Sequence, residues 1–279
     1  MASFKTKLLK KSKWQKRLVN FGHVPKPQKW VFIVGCYNSG TTLLAELMAT
    51  HPDISALPVE GVQLSDAWPL PETFGWNRMW FKCLDEMTID PDAPEAVGIA
   101  ERVKRQWSLS LKRRPLLLEK SIANVPRMLF LQKHFAPALF IYIVRNGYAV
   151  SEGLRRGSKP LKFGRDEFGE QYPISLCAEQ WAYTDTFIGG VRDQIDMLHQ
   201  LSYEEFAGDP ARVMSAVTNF LDIASFSDKA LAKTWQIHGI RSEIKDMNAQ
   251  AIARLSPQDL DDVRIAAAPI LDKYSHQPG

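Results

Sequence analysis

The segment from Trp30 to Thr50 limits the fold more than any other. Trp30-Val-Phe-Ile-Val-Gly35 is an unbroken apolar run ending on glycine, the pattern of a strand covered on both faces. A polar turn from Cys36 to Gly40 follows. Leu43, Leu44, Leu47 and Met48 then recur at helical spacing up to Thr50, where His51-Pro-Asp stops the helix. Strand, tight turn and helix open a βαβ unit, which needs a parallel sheet to complete it.

The same pattern returns along the chain. Leu116-Leu-Leu118 leads through Glu119-Lys120-Ser121 into a helical stretch with Val125, Met128, Leu129 and Phe130. Ala138 to Val144 runs into Arg145-Asn-Gly147 and a helix through Ala149, Val150 and Leu154. Leu198 to Tyr203 precedes a helix over Pro210 to Leu221. The expected fold is α/β, a parallel sheet flanked by helices. Cys177, Trp181, Thr184, Ile188, Val191, Ile195 and Leu198 step by three and four, predicting one long helix from Ser175 to Leu198. Residues 61–114 fit no βαβ repeat and are expected to form a helical insertion. Glycines and prolines among charges predict a mobile loop over 157–174.

Charge divides the chain. The net charge is +4, yet nine of the 35 Lys and Arg lie in residues 1–30 with no acid, leaving 26 bases against 31 acids, a net of −5, over the rest. That distribution argues against nucleic acid as a partner and sets residues 1–29, a basic segment and linker, apart from a domain at 30–279. Read as a helix, Phe4, Leu8, Trp14, Leu18 and Val19 share a face on which Lys7 and Lys11 intrude, so residues 1–22 are expected to be a separable tail meeting a membrane surface or a partner. Cys36, Cys83 and Cys177 show no paired spacing, no apolar run approaches the roughly 20 residues of a membrane span, and the first residues lack an apolar h-region. A cytoplasmic location is expected.

Gly35-Cys-Tyr-Asn-Ser-Gly40-Thr41-Thr42 has the spacing of a nucleoside-triphosphate loop, but Thr41 occupies the position of its lysine. That lysine reaches the β and γ phosphates, so its absence argues against ATP or GTP hydrolysis and leaves a shorter 5′-phosphate donor.

Ser39-Gly-Thr-Thr42 after an apolar strand resembles the 5′-phosphosulfate loop of the sulfotransferases that use 3′-phosphoadenosine 5′-phosphosulfate (PAPS). Ile141-Tyr-Ile-Val-Arg145-Asn-Gly resembles their 3′-phosphate motif. His51-Pro-Asp, Leu118-Glu-Lys120, Tyr203-Glu204 ahead of a helix ending Phe220-Leu-Asp, and Leu255-Ser-Pro follow in family order, so the resemblance spans about 30–275. It is closer to the SGTTLL type with a glutamate base than to the cytosolic type with a histidine base.

The resemblance implies a P-loop nucleotide-kinase-like fold and PAPS as donor, with no metal. It assigns Ser39, Gly40, Thr41 and Thr42 to the 5′-phosphate, Arg145 to the 3′-phosphate and Tyr203 to the adenine. Two positions depart from the family. Asn38 stands where many members carry Lys or Arg, so Lys120 becomes the candidate cation at the sulfuryl group. Gly153 stands where a serine often binds the 3′-phosphate; Ser151 falls on nearly the opposite helix face, leaving Arg155, Arg156 or the Gly153 N–H. Glu60 is the preferred general base and His51 its rival. The acceptor is expected to be a hydroxyl (or amine) on a small molecule, lipid or glycan. Trp68, Phe74, Trp76, Trp80 and Phe81 either line its pocket or form the core of the insertion. The alternatives are a small-molecule kinase and a non-catalytic nucleotide-binding relative.

Overall fold

The computed structural model describes residues 4–10, 12–237 and 240–278. The basic N-terminal segment forms α1 (Phe4–Leu9), α2 (Ser12–Leu18) and a 3-10 turn over Val19–Phe21. Leu9, Gln15 and Val19 are buried, whereas Lys7, Lys10, Lys13, Lys16 and Arg17 are exposed. Gln15 Nε2 donates to the Gln63 carbonyl at 2.9 Å, and Arg105 Nη1 to the Gly22 carbonyl at 3.0 Å. The segment therefore lies against the body with Lys7, Lys10, Lys13 and Lys16 outward. Lys11 and the side chains of Phe4 and Leu8 lie outside the described residues.

Next come β1 (Lys29–Gly35), α3 (Thr41–Met48) and β2 (Ile54–Ala56). The insertion is less helical than expected: α4 (Leu84–Met87) and α5 (Ala96–Ser108) are joined by 3-10 turns and loops. Pro69, Pro71, Pro91 and Pro94 explain this, since each removes a helix donor and restricts the residue before it.

The core resumes with β3 (Leu116–Lys120), α6 (Met128–His134), β4 (Ala138–Val144) and α7 (Gly147–Gly157). The expected loop 157–174 contains two 3-10 turns, at Leu161–Phe163 and Asp166–Phe168. The long helix α8 spans Ile174–Val191 and stops short of the predicted Leu198, which instead opens β5 (Leu198–Ser202). Gly189 and Gly190, weak helix formers, precede that end.

After β5 come α9 (Tyr203–Gly208) and α10 (Pro210–Leu221), the latter on its predicted bounds, with Asp209 Oδ1 accepting from the Arg212 N–H at 3.0 Å as a cap. The chain continues through α11 (Asp228–Leu231), the antiparallel pair β6 (Trp235–Ile237) and β7 (Ile240–Ser242), α12 (Asn248–Ile252) and α13 (Pro257–Lys273).

The five-stranded sheet runs β2-β3-β1-β4-β5 and is parallel throughout, as the continuous apolar runs implied. Trp30 to Gly35 are all buried because β1 is central: Trp30, Phe32 and Val34 pack with Trp107, Phe135 and Phe140 on one face, and Val31 and Ile33 with Leu44, Leu47 and Phe206 on the other. Each such fully buried large side chain contributes about 1.5–3 kcal/mol. Ile33 pairs with Lys120 and Gly35 with Ile143, so the carboxyl ends of β3, β1 and β4 converge. The chain crosses from β3 over β1 to β4, and α/β sheets bind ligands in the crevice at such a crossing.

Candidate active site

Two glycines shape the loop after β1. A Cβ at Gly35 would stand 2.6 Å from the Ile143 carbonyl oxygen, and one at Gly40 2.7 Å from the Tyr203 ring; both have positive φ, 152° and 92°. Asn38 between them is left-handed at φ 63°. The loop delivers Thr41 and Thr42 to the first turn of α3, whose N–H groups have no side-chain cap. Ser39 Oγ and Asn38 Nδ2 are buried and have no hydrogen-bond partner among the described residues. Leaving such groups unpaired costs about 1–3 kcal/mol each, so a ligand that accepts from them fits the loop.

Arg145 leaves β4 beside this loop. Its Nη1 donates to the Asn38 carbonyl and its Nε to Asn248 Oδ1, both at 2.7 Å, while its guanidinium lies 4.2 Å from the Tyr203 ring centroid. Glu204 fixes the surroundings, accepting from the Asn146 N–H at 2.8 Å and from Asn248 Nδ2 at 2.7 Å. Burial pushes the Arg145 pKa below its usual range, with Tyr203 and Glu204 acting against that shift. A dianionic phosphate beside Arg145 would supply the missing compensation.

The loop, Arg145 and the α7 face carrying Glu152, Gly153, Arg156 and Gly157 line a cavity of about 520 Å³. Gly153 seats Asn38, since a Cβ there would meet Asn38 Cγ and Nδ2 at 2.8 Å. Arg156 borders the cavity, but Arg155 is held by Asp259 at 2.6 and 3.1 Å and does not, which removes it as a phosphate ligand. Ser151 spends its hydroxyl on the Gly147 carbonyl at 2.7 Å.

Arg254 and Arg78 also border the cavity, and the sequence reading missed both. Arg254 clasps Glu152 at 2.6 and 2.7 Å, and Arg156 reaches the same carboxylate at 3.1 Å. Burial pushes Glu152 up, but the two arginines outweigh it and hold the carboxyl below its usual range. Glycines four apart on one helix, Gly153 and Gly157, were the available signal for close approach by outside side chains.

Lys120 and Glu60 lie outside the lining of this cavity and pair with each other at 2.8 Å. Glu119, the next residue on β3, does not partner Lys120, because successive strand residues face opposite ways. It accepts from the Gly61 N–H and from Asn124 Nδ2, each at 2.8 Å, and from the Ser121 hydroxyl. Both ring nitrogens of His51, the rival base, have local backbone partners. Its Nδ1 accepts from the Asp53 N–H at 3.2 Å and its Nε2 faces the Ala224 carbonyl at 3.0 Å. Of the aromatic cluster, Trp68 and Trp80 belong to the core, while Phe74, Trp76 and Phe81 are half-buried against it.

The profile of the Sulfotransferase family matches residues 31–228. The chain belongs to the sulfotransferase family. Sulfuryl transfer from PAPS is the chemistry this sulfotransferase site serves, and the kinase alternative falls away. Solved structures share the fold. A sulfotransferase from Mycobacterium avium is 16% identical, with a TM-score of 0.57 over 98% of this chain and 84% of that one. The sulfotransferase domain of the Synechococcus PCC 7002 olefin synthase is 22% identical, with a TM-score of 0.51 over 92% and 98%. A Mycobacterium tuberculosis H37Rv sulfotransferase is 14% identical, with a TM-score of 0.52 over 95% and 82%. No curated protein matches the chain.

The cavity suits the donor of a sulfotransferase. Arg78, Arg145, Arg156, Lys245 and Arg254 border it against Glu152 and Glu243, a cationic excess in a body that is acidic in sum.

Proposed function

We propose that this sulfotransferase moves the sulfuryl group of PAPS to a hydroxyl of a small-molecule, lipid or glycan acceptor, with Glu60 as general base and Lys120 at the sulfuryl group. Ser39, Gly40, Thr41 and Thr42 hold the 5′-phosphate, Asn38 and Arg145 join the loop to the 3′-phosphate, Gly153 leaves room for Asn38, and Tyr203 flanks the adenine. The observation that carries this reading is the pair of unpartnered polar atoms in the loop before a helix N-terminus, Asn38 Nδ2 and Ser39 Oγ, with Asn38 bordering an arginine-lined cavity.

Glu60 takes the acceptor proton as the new S–O bond forms. The bridging S–O bond breaks and its electron pair leaves on the 5′-phosphate of adenosine 3′,5′-bisphosphate (PAP). Lys120, at the end of β3, offsets the charge that develops. The acceptor enters from the side of residues 61–114, where Trp76 and Phe81 keep part of their rings exposed.

Lys7, Lys10, Lys13 and Lys16 of the N-terminal segment face outward and would meet an anionic membrane surface or partner; among the described residues no helix is long and apolar enough to cross a membrane. Labelled-sulfate transfer from PAPS into a panel of alcohols, phenols, glycans and lipids tests the function. A thermal-shift comparison of PAP with ATP tests the donor, and stabilisation by ATP alone would overturn the reading.

A further inference from the structure

Asn38 leaves the phosphate loop without a charged side chain, and Lys120 is engaged by Glu60 outside the cavity lining. Beside Lys120, which its pairing with Glu60 partly neutralises, a sulfuryl group in transfer calls for a second cation close to the oxygens on which charge grows. Arg78 meets that need on four independent grounds.

Its place is the first. Arg78 borders the cavity together with Asn38, Gly153 and Gly157. A Cβ at Gly157 would stand 2.1 Å from Arg78 Nη1, while one at Gly153 would stand 2.8 Å from Asn38 Nδ2. The two glycines are one α7 turn apart, so the guanidinium and the Asn38 amide rest along the same helix face.

Its charge is the second. The guanidinium forms no ion pair or hydrogen bond among the described residues, in contrast to Arg145, Arg156 and Arg254. Lys245 also lacks a carboxylate partner among them, but its carbonyl accepts from the Tyr203 hydroxyl at 3.0 Å, which ties its backbone to the residue assigned to the adenine.

Its backbone is the third. Arg78 is left-handed at φ 63°, a conformation that costs a non-glycine residue energy and is kept where surrounding structure enforces it. Here Glu72 Oε1 accepts from the Arg78 N–H at 3.3 Å and from Asn77 Nδ2 at 2.8 Å, and Asn77 Oδ1 accepts from the Lys159 N–H at 2.8 Å. The insertion is thereby tied to the end of α7 at the residue beside Arg78.

The fourth is its neighbour Tyr37, whose ring centroid lies 5.7 Å from the guanidinium carbon. Tyr37 adjoins Asn38 in the loop, and Glu60 and Glu72 both add to the burial that pushes its phenol well above the ordinary range. Arg78 thus lies beside a residue of the donor loop.

We propose that Arg78 supplies to the sulfuryl group of PAPS the cation that Asn38 does not, so that the insertion rather than the phosphate loop carries this catalytic charge. This rests on the sulfotransferase reading of the cavity. In the transfer step the guanidinium contacts the non-bridging sulfuryl oxygens and the bridging oxygen as the S–O bond to the 5′-phosphate breaks; it neither gains nor loses a proton.

Calorimetry of PAPS and PAP binding tests this without an acceptor. The wild type is expected to bind PAPS more tightly than PAP, and Arg78→Ala to erase that preference while its PAP affinity stays within about threefold. Asn38→Lys in the Arg78→Ala background is expected to restore the preference, and Arg78→Lys to retain part of it. In transfer assays Arg78→Ala is expected to lose about 100-fold in kcat, the usual loss when one charge-stabilising donor is removed. An Arg78→Ala protein that keeps the PAPS preference, or that loses PAP affinity in proportion, overturns the proposal. Absence of PAP binding in the wild type would instead overturn the sulfotransferase reading of the cavity.

Discussion

Lys120 Nζ lies 2.8 Å from Glu60 Oε1, an ion pair between the end of β3 and the segment leading into the insertion. The lysine side chain is 14% exposed and the glutamate 27%, so the pair is shielded but not sealed. Neither residue borders the cavity that fits the nucleotide. This separation makes a direct test possible.

Glu60→Gln and Lys120→Ala should each reduce kcat for sulfuryl transfer while leaving PAP affinity within about threefold. A general base contributes on the order of 10²- to 10⁴-fold, and Glu60→Gln removes the base but keeps an acceptor for Lys120. Kinetics on the most active acceptor, paired with PAP titration, measure both quantities. Equal losses in PAP affinity would place the pair in donor binding instead.

A second test uses the contact between Gly153 and Asn38. Gly153→Ser forces the Asn38 side chain, less than 3 Å from the new Cβ, to shift. The Asn38 carbonyl that receives Arg145 shifts with it. Overpacking of this kind costs about 1–3 kcal/mol, and PAP affinity is expected to fall roughly tenfold or more. Asn38→Gly relieves the clash and suits the left-handed backbone at that position. The double variant Asn38→Gly/Gly153→Ser should therefore bind PAP better than Gly153→Ser alone, a coupling that a double-mutant cycle reads directly.

What the sequence disclosed and what it hid differ in kind. The strands and the phosphate loop were legible because buried parallel strands leave continuous apolar runs, as at Trp30–Gly35, and because glycine is confined to the left-handed turn at Gly40. Arg145 was legible since it directly follows such a strand. Arg78 and Arg254 were not, because they reach the cavity from segments without periodicity, and only the Gly153 and Gly157 spacing hinted at side chains arriving there. The end of α8 was misread because Ile195 and Leu198 keep an apolar spacing while belonging to the next turn and strand. The fate of His51 depended on Asp53 and Ala224, the latter 173 residues away.

Glu119 gives a pH prediction for stability. Burial raises its carboxyl from the ordinary 4.5 to about 7, although Ser121, Gly61 and Asn124 donate to it and partly offset the rise. A carboxyl whose folded pKa is raised binds more protons folded than unfolded between those values. Stability should therefore fall as pH rises from about 4.5 to about 7 and level off above, by an amount of order 3 kcal/mol from this group. Glu119→Gln should flatten that slope in denaturant titrations across the window. A wild-type slope unchanged in Glu119→Gln would assign the pH dependence elsewhere.

The N-terminal segment needs a variant that separates its two roles. Leu9 and Val19 are buried against the body and Gln15 bonds to Gln63, so deleting residues 1–22 should cost stability at about 1.5–3 kcal/mol for each well-buried side chain lost. For a chain of this size that is a fall of several degrees in Tm, about 2–4 °C per kcal/mol. PAP affinity and transfer to a soluble acceptor should remain, because none of the described residues up to Gly22 borders the donor cavity. Deletion alone cannot show what the exposed lysines do, since it also removes the buried residues. Changing Lys7, Lys10, Lys13 and Lys16 to Glu keeps the buried face and reverses the outer charge. If the segment meets an anionic lipid surface, this variant should keep its PAP affinity and lose binding to phosphatidylserine-containing vesicles. The wild type should bind those vesicles at low salt and release them as ionic strength rises, at about 1 kcal/mol per basic residue near the surface. Equal retention of both proteins by the vesicles would exclude the lysines as the contact.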